Sequence, residues 1–411
     1  MAVVQLIYAI ALAAPAANGF VANVKDYGAV GDGVTKDTAA IVKAVAAIAG
    51  AGGGELYFPD GQWLTAPFNL TSHCRVYLEH DATLLGSTDF SDWPVIPPLP
   101  SYGQGRDHVG PRRTSLLHGQ NLTNVTITGA NGTIDGQGAV WWAHHEKPLA
   151  EKYTRGHLIE LMWSTEVEVS NLTLVNSPFW TVHPVYVRGF VARDLTILNP
   201  TSGAPNTDGI DPDSTSDVLI ERCYIRTGDD AIAIKSGWDE YGYEYGVPSR
   251  NITIRDCVFS SPCCAAVCIG SEMSGGVADV RVENSHLFDS AEGLRLKSGK
   301  GRGGYIRNIS MSDVTMVGMK TAFMYNCNYG GHPVGYNASA IPDVGSIYAR
   351  NVTGTGCGRV ADLEGLSELP MHDISFNGVR FDGGDYKCSQ VAGTYRDMQP
   401  TPCHEIVPAE K

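Results

Sequence analysis

Three carboxylates and two basic residues have the types and spacing that chemistry would need. Asp208, Asp229 and Asp230 lie within one stretch, NTDGIDPDSTSDVLIERCYIRTGDDAIAIKSG, and no cluster of basic residues separates them. Further on, Arg295 and Lys297 in GLRLKSGKGRGG have the i, i+2 spacing that puts both side chains on one face of a strand. Carboxylates beside fixed cations suit hydrolysis of an acidic sugar. The cations would hold the substrate carboxylate, one protonated aspartate would donate to the glycosidic oxygen, and the others would activate water.

A repeated strand pattern must position these residues. From about residue 120 a short alternating apolar strand, an Asn or Asp turn and a second short strand recur, as in EVEVSNLTLVNS and NITIRDCVFSS. Repeats that step by 24 to 38 residues suit the coils of a solenoid, and their Val, Ile and Thr content predicts an all-β fold, a parallel β-helix. A β-sandwich is the alternative, but its strands follow one another at only ~8 to 12 residues. The aligned positions are Val167, Val191, Val218, Ile252, Val280, Ile309, Ile347 and Ile374.

In a β-helix, residues that are one coil apart in the sequence lie next to each other in space. Asp208 and Asp229 are about one coil apart, so we expect them on adjacent rungs ~4.8 Å apart. Asp230 can join them only if the chain turns or bulges after Gly228, because neighbours on a regular strand point to opposite faces. Arg302, on the turn after Lys297, is a further candidate cation.

Composition places the chain among folded, secreted proteins. Of its 411 residues 43% are hydrophobic and 18% charged, and the formal charge of −14 argues against nucleic acid as a partner. Residues 1–19 have the apolar run and small residues of a signal peptide, incomplete because no basic residue precedes the run. No later stretch has the ~18 apolar residues of a membrane span. We expect residues 20–411 to form one domain, with a short capping helix that begins near Asp37 or Thr38.

Nine Asn-x-Ser/Thr sequons support secretion and glycosylation. The ten cysteines have no zinc-type spacing, so disulfides are expected, and a pair among Cys357, Cys388 and Cys403 could tie down the last segment. Cys223 and Cys257 fall on neighbouring coils, as a buried ladder or a disulfide.

Four motifs in order, NTDG, GDDAIAIKSG, IGSEMSGG and LRLKSGKGRGG, resemble glycoside hydrolase family 28, the polygalacturonases. YGAVGDGVTKDTAAI and NGTIDGQGAVWW extend the resemblance over nearly the whole chain. It implies a right-handed parallel β-helix that hydrolyses α-1,4-galacturonosyl linkages of pectin with inversion and needs no metal or other cofactor. We expect a secreted monomer that acts on galacturonan in the cell wall.

The resemblance also implies roles for the site residues. By motif, Asp229 is the general acid, and Asp208 and Asp230 position and activate water. Arg295 and Lys297 bind galacturonate, and Asn206, by its place in the NTDG motif, is a neighbouring residue of the substrate-binding site.

One departure from the family pattern bears on the activity. Many members carry Gly-His-Gly before Ile-Gly-Ser, whereas this chain reads SPCCAAVCIGSEM, so Cys264 or Ala265 stands at the histidine position. The GSEMSGG form resembles plant and bacterial members, some of them exo-acting, and favours exo-action. The alternatives are a rhamnogalacturonan hydrolase, a Ca²⁺-dependent pectate lyase, and a catalytically weak wall protein that binds pectin.

Other side chains have two interpretations. His157 and His183 lie on apolar strands, where a packed histidine is the default. Tyr325 and Tyr329 could stack on sugar rings or pack in the core. The sequence leaves Glu272 undecided between a turn and the site.

Overall fold

The computed structural model describes residues 19–145 and 152–410. This part of the chain is a right-handed parallel β-helix, as the sequence predicts. Nearly all of the predicted signal peptide, residues 1–18, lies outside the described residues. The described ranges contain no helix that is long and apolar enough to span a membrane. Their α-helices are Thr38–Gly50, Ala139–His145 and Asp239–Tyr245, and single 3₁₀ turns occur at Val24–Tyr27, Phe90–Asp92 and Pro100–Tyr102.

The strands stack coil on coil into three rows. The first row consists of Val21–Asn23, Gly54–Phe58, Cys74–Leu78, Thr123–Gly129, Thr165–Ser170, Arg188–Arg193, Ser216–Glu221, Ser249–Arg255, Val277–Glu283, Tyr305–Val317, Asp343–Thr355, Met371–Phe381, Val391–Gln399 and Ile406–Pro408. The second row consists of Asp32–Lys36, Gly61–Thr65, Ala82–Gly86, Thr133–Asp135, Thr173–Val175, Thr196–Leu198, Tyr224–Arg226, Val258–Ser260 and His286–Phe288. The two rows merge at Tyr305–Val317, which pairs with members of both.

The third row, called the site row below, carries the candidate chemistry. It consists of Phe68–Asn69, Leu117–Gln120, Ile159–Met162 and Val182–Val185, followed by Ile232–Ile234, Ala265–Ile269, Glu292–Lys297, Thr321–Asn326, Arg359–Glu364 and Asp385–Ser389. Isolated bridges at Ile210 and Asp213 join its two halves. An antiparallel pair, Val95–Ile96 with Arg112–Arg113, lies beside the rows.

The alternation of apolar and polar residues along each strand forms the core, and the Asn and Asp turns form the corners. Inward Val, Ile and Phe side chains of successive coils lie in register and are buried, which removes apolar surface from water along the whole helix. At the corner between the first two rows the backbone is left-handed, a conformation that Asn and Asp tolerate better than most residues. The corner residues include Asn131, Asn171, Asp194, Asp256, Asn284, Asp313 and Asn351, with φ between 44° and 66°.

One aligned position was wrong by one residue. Phe190, not Val191, pairs with Val167 on one side and Val218 on the other, and the positions from Val218 to Ile374 are in register as predicted. A shift of one residue reverses the faces of a strand. Both candidates are apolar, so hydrophobicity alone could not choose between them, and Gly189 at φ 76° sets the bend that turns Phe190 inward.

The predicted capping helix is Thr38–Gly50, and its buried face closes the N-terminal end of the core. Asp37 precedes it, but its carboxylate does not cap the helix. It accepts hydrogen bonds from the N–H groups of Val30 and Gly31, 2.7 and 3.1 Å away, and so fixes the GDG turn.

The cysteines settle two of the open alternatives. Cys388 and Cys403 form a disulfide that ties down the C-terminal segment. Cys223 and Cys257 are unbridged and buried on adjacent coils, so they form a ladder rather than a disulfide.

Candidate active site

The three aspartates meet at the edge of the site row, on adjacent coils. The N–H of Gly209 donates to the main-chain oxygen of Asp230 at 3.0 Å, which places Asp208 beside Asp230. Asp229 and Asp230 follow a second-row strand at the point where the chain bends at Gly228. The bend supplies the break in alternation that the sequence analysis required, and both carboxyls reach the same space.

That space is an open cleft of about 510 Å³, which includes the solvent at its mouth. Its walls contain five of the six predicted site residues and several others that are charged or aromatic. They include Asn206, Asp208, Asp229, Asp230 and Lys297, with Arg106, Asp107, Phe179, Trp180, Lys235, Glu272 and Tyr329.

Lys297 forms a buried ion pair with Asp230, with 2.6 Å between Nζ and Oδ2. Burial alone would raise the pKa of Asp230. The charge and hydrogen bond of Lys297 and the hydrogen bond from the N–H of Ala265 outweigh burial, so the pKa lies below its ordinary value. Of the three aspartates, Asp230 is therefore the one that keeps its charge at the lowest pH.

Asp229 and Asp208 shift in the opposite direction. Burial and the charge of Asp230 raise the pKa of Asp229. Burial, followed by the charges of Asp229 and Asp211, raises the pKa of Asp208 well above its usual range. Adjacent carboxyls thus favour different protonation states, which is the arrangement that acid and base chemistry on one site requires.

Lys235 is a central residue that the sequence analysis missed. Its Nζ lies 3.2 Å from Glu272, 3.6 Å from Asp211 and 4.0 Å from Asp208, and 4.4 Å from the centre of the Trp180 ring. Burial opposes its charge, but these carboxylates outweigh burial and raise its pKa, so it stays cationic.

A sequence signal for Lys235 existed. It follows Ala233 at i+2 in GDDAIAIKSG and so shares that residue's outward face. Glu272, left undecided, lines the cleft, and the charges of Lys235 and Arg106 outweigh burial to hold its pKa well below the usual value. Arg106 had no periodic signal because it belongs to a loop.

Arg295 lies beside the cleft rather than among its lining residues. Its guanidinium is 3.2 Å from Glu292 and 5.7 Å from the centre of the Tyr329 ring, on the same strand face as Lys297. It thus lies next to Tyr329, which lines the cleft.

The expectation that Arg302 adds to the basic patch is wrong. Arg302 is fully buried, pairs with Asp239 and donates to the main-chain oxygens of Gly330 and Gly331 at 3.0 and 2.7 Å. A turn position suggested exposure, but packing of a distant loop covers it.

Asn206 is held by an arginine. Its Oδ1 accepts from Nη2 of Arg155 at 2.7 Å, and Arg155 also lies 3.3 Å from Asp107. Asn206 has a left-handed φ of 57°, so a local backbone bend turns its side chain into the cleft wall.

A thiol stands near the position where family members carry histidine. Sγ of Cys264 and the carboxylate oxygens of Asp229 and Asp230 lie within 4.8 Å of one another. These donors suit a metal poorly because Lys297 already neutralises Asp230. The N–H of Ala265 binds Asp230 at 2.9 Å, so the main chain holds the carboxylate here.

His157 and His183 are both buried, as expected for histidines on apolar strands. His183 lies between Glu160 and Asp213, at 2.9 and 3.2 Å. Burial opposes its charge, but hydrogen bonds to Asp213 and Glu160 raise its pKa to about 8. Of the two tyrosines, Tyr325 is buried in the core, whereas Tyr329 lines the cleft.

Two loops that contribute residues to the cleft wall, Arg106 and Tyr329, contact each other. Gln104, on the first loop, accepts from the N–H of Val334, on the second, at 3.3 Å. Arg106 on the first loop pairs with Glu272 at 2.6 Å and lies 5.2 Å from the centre of the Trp238 ring. The indole of Trp238 in turn donates to the main-chain oxygen of Gly331 at 3.3 Å.

The site has one carboxyl that favours its protonated form, a neighbour that favours its ionised form, and cations beside both. On the side of a parallel β-helix, this arrangement is typical of a glycosidase. This chain belongs to glycoside hydrolase family 28, because the model described as glycosyl hydrolases family 28 matches residues 55–398. A second model, rhamnogalacturonase A/epimerase, pectate lyase-like, matches residues 21–74.

Known proteins resemble the chain over most of its length. A probable polygalacturonase of Vitis vinifera is 47% identical over 396 residues, which cover 94% of this chain and 80% of the relative. The exopolygalacturonase structure from Thermotoga maritima has a TM-score of 0.81 at 28% identity and covers 95% and 92% of the two chains. The polygalacturonase structure from Erwinia carotovora ssp. carotovora has a TM-score of 0.75 at 25% identity, with 94% and 99% covered.

Proposed function

We propose that this chain hydrolyses α-1,4-galacturonosyl linkages of pectin with inversion, with Asp229 as the general acid. The observation that carries the proposal is the contrast between two adjacent carboxyls. Burial and a neighbouring charge favour protonated Asp229, while Lys297 favours ionised Asp230. The names of the relatives support galacturonan as the substrate.

In this proposal ionised Asp230 activates the attacking water, and Asp208 helps to position it. Arg295 and Lys297 bind the carboxylate of one galacturonate unit, a role that matches their shared strand face. Asn206 contributes a neighbouring polar contact from the cleft wall.

The test is release of reducing ends from polygalacturonate. Asp229→Asn should lose at least 100-fold in kcat, the lower end of what a general acid contributes. Asp60→Asn is the matched control. Asp60 is exposed and lies in an early coil, many residues before Asp229, so this variant should leave kcat unchanged. Unchanged activity in Asp229→Asn would contradict the assignment of Asp229 as the general acid. Hydrolysis of rhamnogalacturonan in place of galacturonan would support the related hydrolase, and binding without product would support a wall-binding protein.

We further infer exo-action, because the Gln104–Val334 hydrogen bond joins the two loops that contribute Arg106 and Tyr329 to the cleft wall, and joined loops would limit entry of a long chain from that side. The resemblance to the T. maritima exopolygalacturonase agrees with it. Digestion of defined oligogalacturonides separates the alternatives: monomer alone is expected, and early mixed oligomers would show endo-action.

Secretion and a monomeric, single-domain enzyme complete the proposal. Residues 1–19 would direct export, and residues 20–411 would act as one catalytic domain. N-terminal sequencing of the secreted protein should begin near residue 20. Light scattering after size exclusion should give the mass of one chain; a dimer mass would contradict this part.

A further inference from the structure

A small second pocket adjoins the catalytic cleft. It shares Arg106, Phe179 and Trp180 with the cleft and continues behind them against Leu99 and Tyr102. It has about 30 Å³ of water-accessible space, room for two or so water molecules, where the same measure gives about 120 Å³ for the cleft. A substituent of a sugar fits this space, and the sugar itself does not.

The pocket lies on the far side of the carboxyls from the basic pair. The N–H of Thr181 donates to the main-chain oxygen of Asp208 at 2.9 Å, so the coil of Trp180 precedes the coil of Asp208. Arg295 and Lys297 lie two coils beyond Asp230 in the other direction. A chain that spans the site therefore places one unit at the basic pair and the other against Trp180.

The charges around the pocket disfavour a carboxylate there. Arg112 donates through Nη1 to both carboxylate oxygens of Glu160, at 2.7 and 2.8 Å. Arg106 forms an ion pair with Glu272. Burial opposes the charge of Glu160, but Arg112 and the neighbouring histidines hold its pKa well below the usual value, so it is ionised. Both arginines of the pocket therefore already have a carboxylate partner, and neither has an unpaired charge for a carboxylate of the substrate.

The walls of the pocket are mainly apolar and aromatic. They include Pro98, Leu99, Tyr102, Phe179 and Trp180. A methyl group gains from burial against such walls, whereas a carboxylate would lose its hydration without a partner that replaces it.

We propose that this pocket receives the methyl ester of the galacturonate unit that lies against Trp180, so that the enzyme prefers a chain esterified at that unit. The proposal rests on the proposed function, since it assumes a galacturonan chain in the cleft. The apolar walls receive the methyl group, and the basic pair, Arg295 and Lys297, takes the free carboxylate of the other unit.

The test compares unesterified trigalacturonide with its three singly methyl-esterified isomers. Burial of one methyl group, worth ~0.8 kcal/mol, should raise kcat/KM for one isomer roughly fourfold. Leu99→Trp, which fills the pocket, should abolish the preference, and Val109→Trp, on the same loop but 78% exposed, should leave it unchanged. If Leu99→Trp does not fold, Leu99→Ala should extend the preference to the ethyl ester.

The outcomes are distinguishable. Hydrolysis of the unesterified trimer with all three esters slower would overturn this inference alone. A preference that survives Leu99→Trp would also overturn it, because the pocket would not be its cause. A trimer carrying an O-acetyl group in place of the ester, if preferred instead, contradicts the choice of ester. No hydrolysis of any trimer, with longer chains also intact, would overturn the proposed function itself.

Discussion

Replacing Arg302 with methionine should cost stability rather than substrate binding. Arg302 and Asp239 are both fully buried, and Arg302 also holds the main-chain oxygens of Gly330 and Gly331. Removal of one partner of a buried ion pair leaves an uncompensated charge, which typically costs ~3–5 kcal/mol. His332, 2.6 Å from Asp239, offsets part of this loss, so we expect about 3 kcal/mol.

The assay is urea unfolding, with Arg350→Met as the matched control. Arg350 pairs with Asp313 at 2.9 Å on the surface, where a single ion pair contributes ~0–1 kcal/mol. The midpoint for Arg302→Met should therefore fall well below those of the control and the parent protein. A loss of less than ~1 kcal/mol together with a higher KM on galacturonan would refute the reasoning and return Arg302 to the substrate-binding cations.

Three further predictions follow from the ionised groups and the disulfide. Lys297→Met should move the acid limb of the pH–kcat/KM profile to higher pH, because Asp230 loses the cation that lowers its pKa, whereas Lys300→Met, at a surface pair, should not; an unmoved limb would contradict the pairing. Asp208→Asn should raise the melting temperature at pH 7. Because the folded-state pKa of Asp208 is raised, the parent protein gains stability from this group as pH falls, so the advantage of the variant should vanish below the unfolded value near 3.8; equal melting temperatures at pH 7 would count against it. Cys388→Ser should lower stability by about 3 kcal/mol in urea, the chain-entropy value for a disulfide that closes a loop of 15 residues, and an unchanged midpoint would show that the C-terminal segment needs no cross-link.

Much of the fold was readable because its determinants are local. The alternation of Val, Ile and Thr decides which side chains face inward, and Asn and Asp at the corners accept the left-handed backbone. Both signals repeat with each coil, so the stacking of the coils in chain order followed from the sequence. The single slip, Val191 for Phe190, occurred where two neighbouring apolar residues made the local pattern ambiguous.

The candidate site was partly readable for a similar reason. Asp208, Asp229 and Asp230 lie within about one coil, and Arg295 with Lys297 shares a strand face, so stacking brings these residues near one another. Their partners depend on contacts that no local pattern contains.

By itself, the sequence determined the coil repeat, the family resemblance and the residues that the cleft would need. Only the tertiary structure decided that Arg302 is buried against Asp239, that Lys235 lies among the carboxylates, and that a loop contributes Arg106 to the cleft wall. The physical reason is the distance along the chain between the residues that interact. Strand faces follow from neighbours in the chain, whereas burial and charge pairing depend on segments that meet only when the coils and loops have packed.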